Sequence, residues 1–212
     1  MATIEGRTGA VSRADNDLST VVLDKRGSVI VTGGGGNYEQ STFRRRSYSG
    51  ANQGPGGTTT TVGLATTYTG LCVSNPVAST VNLVVNHVGI SVVGAPAALS
   101  TLGLMAGFHA TTNVTHTTAL IAHNNMWNSV AGTDGQALVD SASTLPTAPL
   151  VVHAFGTIPI TGATAQVVNP PVSGVSYDFN GGLILAPGAY VAIYTSTVLT
   201  IIASILWTEI PV

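Results

Sequence analysis

The stretch Thr80–Val93, with the sequence TVNLVVNHVGISVV, indicates the fold class most directly. Every second residue is aliphatic in two successive sets, first Val81, Leu83 and Val85 and then Val88, Ile90 and Val92. Side chains alternate between the two faces of a strand, so the step from 85 to 88 moves the apolar set to the other face. The pattern therefore predicts a β-strand with a bulge or bend near Asn86–His87.

Similar short runs rich in Val, Ile, Thr and Tyr recur from about Val62 onward, separated by Gly, Pro and Asn turn residues. The segment 97–107 is the best candidate for a helix, but Gly103 and Gly107 weaken it. The predicted strands lie near residues 64–73, 80–93, 99–108, 114–122, 150–155, 164–169, 174–179, 183–186, 189–195 and 198–209. Short strands at this spacing predict an all-β fold, an antiparallel β-sandwich that is jelly-roll-like.

The N-terminal part has a different composition. Two short apolar runs, STVVL at 19–23 and GSVIVT at 27–32, are candidate strands, and they are followed by the glycine-rich runs GGGG at 33–36 and GPGG at 54–57. Glycine loses the most backbone entropy on ordering, so such a region is extended unless a partner holds it. We therefore predict an extended, charged and Gly-rich N-terminal arm over residues 1–61 and a β-sandwich body over 62–212.

The charges are divided very unequally. All seven Lys and Arg residues lie at or before Arg46, together with five of the nine acidic residues, so residues 1–46 carry a net charge of +2. Residues 47–212 contain four acidic residues and no Lys or Arg. About a quarter of the residues of an average soluble domain are charged, so a body of this composition is expected to be covered by other protein.

Several function classes conflict with this composition. The apolar stretch 183–207 is broken by Pro187–Gly188 and is rich in β-branched residues, which argues against a membrane-spanning helix. The first residues contain charges and no apolar run, so no secretion signal is predicted. The single cysteine, Cys72, cannot form an internal disulfide and is predicted to be a small core residue. A body without cations is also a poor partner for nucleic acid.

Two groups of residues are candidates for a metal site or a catalytic site. His109, His116 and His123 are evenly spaced by seven residues, which is wider than zinc ligands usually are, so neither a metal nor another cofactor is predicted. Asp140, Ser141 and His153 could form a hydrolytic set only if the fold brought them together, with His153 or another histidine as the base. No motif of a known catalytic type contains them, and we expect a protein that is not an enzyme.

The sharpest local feature is a cationic cluster flanked by aromatic residues. The residues predicted to bind a partner through the arm are Lys25, Arg26, Phe43, Arg44, Arg45, Arg46 and Tyr48. Guanidinium groups suit carboxylates of a protein partner, which we favour over nucleic acid because the arm also contains five acidic residues and apolar anchors.

The whole pattern resembles the virion structural proteins of tailed bacteriophages. The resemblance lies in KRGSVIVTGGGG (25–36), in TTTTVGLATTYTGLCVSNPVASTVNLVV (58–85) and in the C-terminal block NGGLILAPGAYVAIYTSTVLTIIASILWTEIPV (180–212). It implies a small protein that decorates or cements a phage head or forms a head fibre. It also implies a jelly-roll-like trimer whose arm lies over neighbouring shell subunits, and it implies no catalytic residue.

The sequence thus predicts a non-enzymatic virion component, made in the host cytoplasm, that decorates or cements a capsid. Its expected partners are the major capsid protein or other virion proteins and further copies of itself, most simply in a homotrimer. One alternative is a tail-fibre or receptor-binding piece that recognises a glycan through the loop 124–135. Two others are a carbohydrate-binding β-module and a small β-sandwich hydrolase.

Overall fold

The computed structural model describes residues 38–52, 57–94, 98–126, 135–158 and 174–212. The chain divides into two compact units, Met1–Glu39 and Gln40–Val212. Almost all of the first unit lies outside the described residues, as do the strands predicted at 19–23, 27–32 and 164–169. The second unit consists of two antiparallel sheets packed against each other, which confirms the predicted β-sandwich.

A short helix, α1 (Glu39–Phe43), precedes the strands that the structure describes. In chain order these strands are β1 (Ser47–Ala51), β2 (Thr58–Thr59), β3 (Thr67–Ser74), β4 (Val81–Val92), β5 (Ser100–Phe108), β6 (Thr115–His116), β7 (Ala119–Leu120), β8 (His123–Asn124), β9 (Leu138–Thr144), β10 (Leu150–Ile158), β11 (Gly174–Leu185), β12 (Ala189–Thr195) and β13 (Thr200–Pro211). The segment 97–107, the best helical candidate, is therefore largely strand β5.

The strand order is that of a jelly roll. The first sheet has the order β11-β4-β13-β1-β8, with β2 paired to β13, and the second has the order β10-β5-β12-β3-β9-β6, with β7 paired to β9. Eight strands form the jelly roll and are called the principal strands. In chain order they are β1, β3, β4, β5, β10, β11, β12 and β13, and β9 extends the second sheet beyond β3. The spatial order in the first sheet is the first, eighth, third and sixth principal strand. In the second sheet it is the second, seventh, fourth and fifth. This interleaving defines two Greek keys wrapped into one sandwich.

The predicted bulge in β4 is confirmed. Val85 pairs with Trp207 and His87 pairs with Leu206, so Asn86 has no opposite residue on β13. The extra residue returns the following side chains to their original face, and both aliphatic sets of β4 are buried. One inserted residue thus lets a twelve-residue strand line the core along its whole length.

Two hydrophobic clusters lie on opposite faces of the second sheet. The larger fills the space between the sheets and includes Trp207, Leu83 and Ile193, each 0% exposed. The smaller lies on the outer face of the second sheet, where Tyr68, Cys72 and Met105 are covered by Val114 and Leu145. Cys72 is fully buried, as predicted, and burial raises the pKa of its thiol to about 12.

Several predicted elements differ from the observed ones. The strand predicted near 114–122 is two short strands, β6 and β7, and the predicted strands 174–179 and 183–186 are both parts of β11. Asn180 and Gly181 have positive φ angles of 48° and 82° and form a local excursion within β11. Strand β9 was missed because its sequence, LVDSAST, lacks the β-branched aliphatic pattern and buries the polar residues Asp140 and Ser143.

The predicted boundary between arm and body at residue 61 is wrong, because β1 and β2 already belong to the first sheet. The amide of Asn52, which follows β1, donates to the carbonyl of Ile201 and accepts from the N–H of Ala203. Tyr48 is 4% exposed and stacks on Trp207, with ring centroids 6.1 Å apart. The sandwich therefore begins near Ser47, and Tyr48 is a core residue rather than a partner-binding one.

We expect Tyr48→Ala to lower the free energy of unfolding by about 3–5 kcal/mol, the usual cost of removing a large buried aromatic side chain. The matched control is Phe43→Ala, because Phe43 is 56% exposed and its removal should change stability by no more than about 0.5 kcal/mol. Urea denaturation of both variants measures the difference. Equal effects would mean that β1 does not belong to the folded unit.

Candidate functional site

The predicted arginine cluster lies where α1 ends and β1 begins. Phe43, Arg44 and Arg45 are exposed and Arg46 is half-buried. The backbone here is fixed to the sandwich, since the carbonyl of Arg45 accepts from the Asn124 amide and the carbonyl of Arg46 accepts from the N–H of Glu209. The cluster is therefore a cationic site attached rigidly to the body. Of the other predicted residues, Lys25 and Arg26 lie outside the described part of the chain.

Arg45 holds a backbone conformation that usually belongs to glycine. Its φ is 57°, in the left-handed region, and it ends α1 with the N–H of Arg45 donating to Thr42 and that of Arg46 donating to Ser41. This pair of hydrogen bonds is the Schellman motif, whose left-handed position is most often glycine. An arginine there costs about 1 kcal/mol of strain. An arginine that is retained here despite this backbone strain indicates a role other than stabilising the fold.

We expect Arg45→Gly to raise the free energy of unfolding by about 0.5–1 kcal/mol, because it relieves the strain. Arg45→Ala is the control, since it removes the same charge and keeps the strained backbone. Thermal unfolding of the two variants should show stabilisation by glycine alone. If glycine stabilises no more than alanine does, Arg45 is not strained.

A second notable feature is the side of the sandwich formed by β10 and β11, the terminal strands of their sheets in the described fold. The rings of His153 and Tyr177 have centroids 4.2 Å apart, and Phe155 and Phe179 pack against them. Phe155 and Phe179 also pack on the main core. These aromatics face one another across the two sheets and help to close the sandwich on this side.

The outer part of this side is apolar. Leu150, Val151 and Val152 are 74%, 43% and 46% exposed, and on β11 Ile184 is 58% exposed. Asp178 on β11 lies beside His87, with the Nδ1 and Oδ1 atoms 2.7 Å apart. Exposed aliphatic residues in sequence on a terminal strand are typical of an interaction surface.

The opposite side of the sandwich is closed differently. There the chain from 115 to 124 forms β6, β7 and β8, each only two residues long, and passes from the second sheet to the first. Very short terminal strands protect a sheet edge, because they leave few backbone groups for another chain. The two sides of the body are therefore unlike, with long terminal strands at one and short ones at the other.

The fold also brings together a serine, a histidine and an aspartate that sequence reasoning did not combine. Ser74 Oγ lies 3.1 Å from His116 Nε2, and His116 Nδ1 lies 3.3 Å from Asp140 Oδ2. The last two atoms are in ion-pair range without the alignment of a hydrogen bond. No sequence signal marks the group, because its residues stand on β3, β6 and β9 and meet only through strand pairing.

The contacts of this group indicate a structural role. The Asp140 carboxylate is fully buried and accepts hydrogen bonds from the N–H groups of Thr117, Thr118 and Ala142, so it fixes the turn between β6 and β7. Ser74 is 3% exposed and lies on a strand that pairs on both sides. His116 borders a cavity of about 340 Å³, but Ser74 does not line it. A nucleophile must reach its substrate, and this serine is enclosed by the fold.

The pKa of His116 gives this group a pH dependence. Burial lowers the pKa below its ordinary value of 6.5, and the neighbouring Asp140 only partly opposes that shift. Below about pH 6.5 the unfolded chain then binds the proton more readily, so this histidine makes the fold less stable as pH falls. Above that pH the contribution disappears.

We expect His116→Gln to weaken the loss of stability between pH 7.5 and pH 5.5, because glutamine keeps a polar side chain and does not titrate there. Urea denaturation at both pH values measures this, with His109→Gln as the control at a histidine placed in a loop. An unchanged slope in His116→Gln would show that the buried histidine does not set the pH dependence.

The remaining candidates are dispersed. Asp140 and Ser141 on β9 are separated from His153 on β10 by three strands of the second sheet, so the hydrolytic set considered from the sequence does not form. His109 accepts hydrogen bonds from the N–H groups of Thr111 and Thr112. Within the described ranges, no three His, Cys, Asp or Glu side chains are close enough to hold a metal ion. The loop 124–135 lies mostly outside those ranges, and its proposed glycan recognition stays a prediction.

In the described part of the chain no helix has the length and apolarity needed to cross a membrane. Comparison with protein-family models, with curated proteins and with solved structures finds no match to this chain.

Proposed function

We propose that this protein is a non-enzymatic structural component of a virion that decorates or cements a phage capsid. In this proposal the N-terminal segment binds the shell and the β-sandwich associates with further copies of itself, most simply as a trimer. The observation that carries the proposal is a jelly-roll body without a single Lys or Arg after Arg46 and with exposed aliphatic residues on a terminal strand.

Few charged side chains of the body reach its surface. Asp140 is 0% exposed and Glu209 is 5% exposed, and both carboxylates accept backbone N–H groups. Asp178 lies beside His87 with its side chain 60% exposed, and Asp134 lies outside the described residues. The surface of a protein that does not associate with other copies in water normally contains roughly 25–35% charged residues. This body lacks that protection, which supports burial of its surface in an assembly.

The arginine cluster supplies what the body lacks. Three consecutive arginines stand where the chain enters the first sheet, and the carbonyls of Arg45 and Arg46 hold their backbone to the sandwich. Guanidinium groups bind carboxylates in paired, directional hydrogen bonds, so an acidic protein surface is the partner they fit. The strain at Arg45 supports a role in binding, because folding alone would favour glycine there.

The test is attachment of the full-length protein to empty shells of the virus that encodes it. We expect the triple variant Arg44→Glu, Arg45→Glu, Arg46→Glu to lose at least tenfold in cosedimentation with the shells, because it replaces attraction by repulsion. The control is Asp178→Asn, which changes a charge on a distant strand and should leave attachment unchanged. Equal cosedimentation of the triple variant and the wild type would refute anchoring by this cluster.

A further inference from the structure

We propose that β10 is the strand through which copies of this chain associate, with Leu150–Val152 packed against a second copy. This inference rests on the proposed function, because it identifies the surface for the self-association proposed there. It is carried by the edge of β10, by the side chains that the edge exposes and by the lack of charge around them.

The edge of β10 is open within the described fold. β10 pairs with β5 on one side, and no described strand pairs with its other side. A terminal strand presents backbone N–H and C=O groups that another strand can pair with, and proteins usually guard such edges with charge, proline or short length. The sequence of β10 is LVVHAFGTI, nine residues without a charged residue or proline.

The bulges of β10 turn aliphatic residues outward. The register against β5 shifts between Val151 and His153, so Val152 is an extra residue. A regular strand would direct alternate side chains to the core, but here three successive aliphatic residues are at least 43% exposed. Bulges can protect an edge by twisting it away, and this one instead adds apolar surface beside the edge.

The occupant that fits this surface is another copy of the chain. A charged partner would have to lose its hydration against Leu150–Val152, whose side chains offer no countercharge, and this is unfavourable. The sandwich has no Lys or Arg after Arg46, and Asp178 is the one acidic side chain that is exposed in its described part, so most of its surface meets this condition. Every copy of the chain also presents the same strand edge with the same apolar side chains, so copies can meet through this surface in a closed symmetric assembly.

Two aliphatic residues elsewhere provide a matched control. Leu99 and Val198 are 57% and 55% exposed, comparable to the residues on β10. They lie in the loops before β5 and before β13, so they do not stand on an open strand edge. Replacing these two residues by lysine introduces the same charge in place of the same aliphatic side chains but leaves the edge of β10 unchanged.

The experiment compares the mass of three full-length proteins by light scattering after size exclusion. The wild type is expected to be an oligomer, Leu150→Lys with Val152→Lys is expected to shift its dissociation constant at least tenfold toward monomer, and Leu99→Lys with Val198→Lys is expected to remain oligomeric. Circular dichroism and thermal unfolding confirm that the variants are folded, which these exposed positions should allow.

Each outcome separates the two proposals. Dissociation of the β10 variant alone supports β10 as the interface. If the wild type and the β10 variant are both oligomeric, β10 is not the interface and the proposed function still stands. If only the Leu99 and Val198 variant dissociates, the conclusion is the same. A monomeric wild type at every concentration overturns the self-association in the proposed function itself.

Discussion

Strand β13 is the element on which the rest of the structure depends. It lies between β4 and β1 in the first sheet and also pairs with β2, so its twelve residues fix the position of three other strands. Its inward side chains, including Ile201, Ile205 and Trp207, are fully buried. Glu209, near its end, accepts N–H groups of Gln136 and Ala137 and thereby holds the chain that leads into β9. The register of this one strand sets where the arginine cluster enters the fold.

The central position of β13 has a consequence for the edges. A jelly roll that places its N- and C-terminal principal strands in the middle of the first sheet leaves β11 at the margin, beside β10 of the second sheet. The aromatic cluster around His153 and Tyr177 closes the gap between those two strands. Nothing in the sequence of β10 guards its outer edge, so closure of the sandwich and exposure of apolar residues occur on the same side.

Much of the fold could be predicted from the sequence because strand patterns are local. The bulge at Asn86 could be predicted from the change of face between Val85 and Val88, since alternation is a property of a single strand. β1 could not, because its sequence, SYSGA, contains little that distinguishes a strand from a loop. It becomes a strand through pairing with β13, about 155 residues away along the chain. This tertiary contact decides the structure because the local preference of the sequence for a strand is weak.

The candidate sites divide in the same way. The cluster Arg44–Arg46 could be found because the residues are consecutive, although the left-handed conformation of Arg45 depends on how α1 ends. Ser74, His116 and Asp140 could not be grouped, because their contact arises from strand pairing. The terminal position of β10 in the described fold could not be recognised either, since a strand is terminal only by its place in the sheet order.

The most direct test of this account is the mass of the purified full-length protein in solution, measured over a range of concentrations. The protein is expected to be a defined oligomer, with a trimer at about three times the 21.4 kDa chain mass as the simplest case. A protein that stays at 21.4 kDa at all concentrations would contradict self-association, because the charge-poor surface and the β10 edge that is open in the described fold would then be stable in water without a partner.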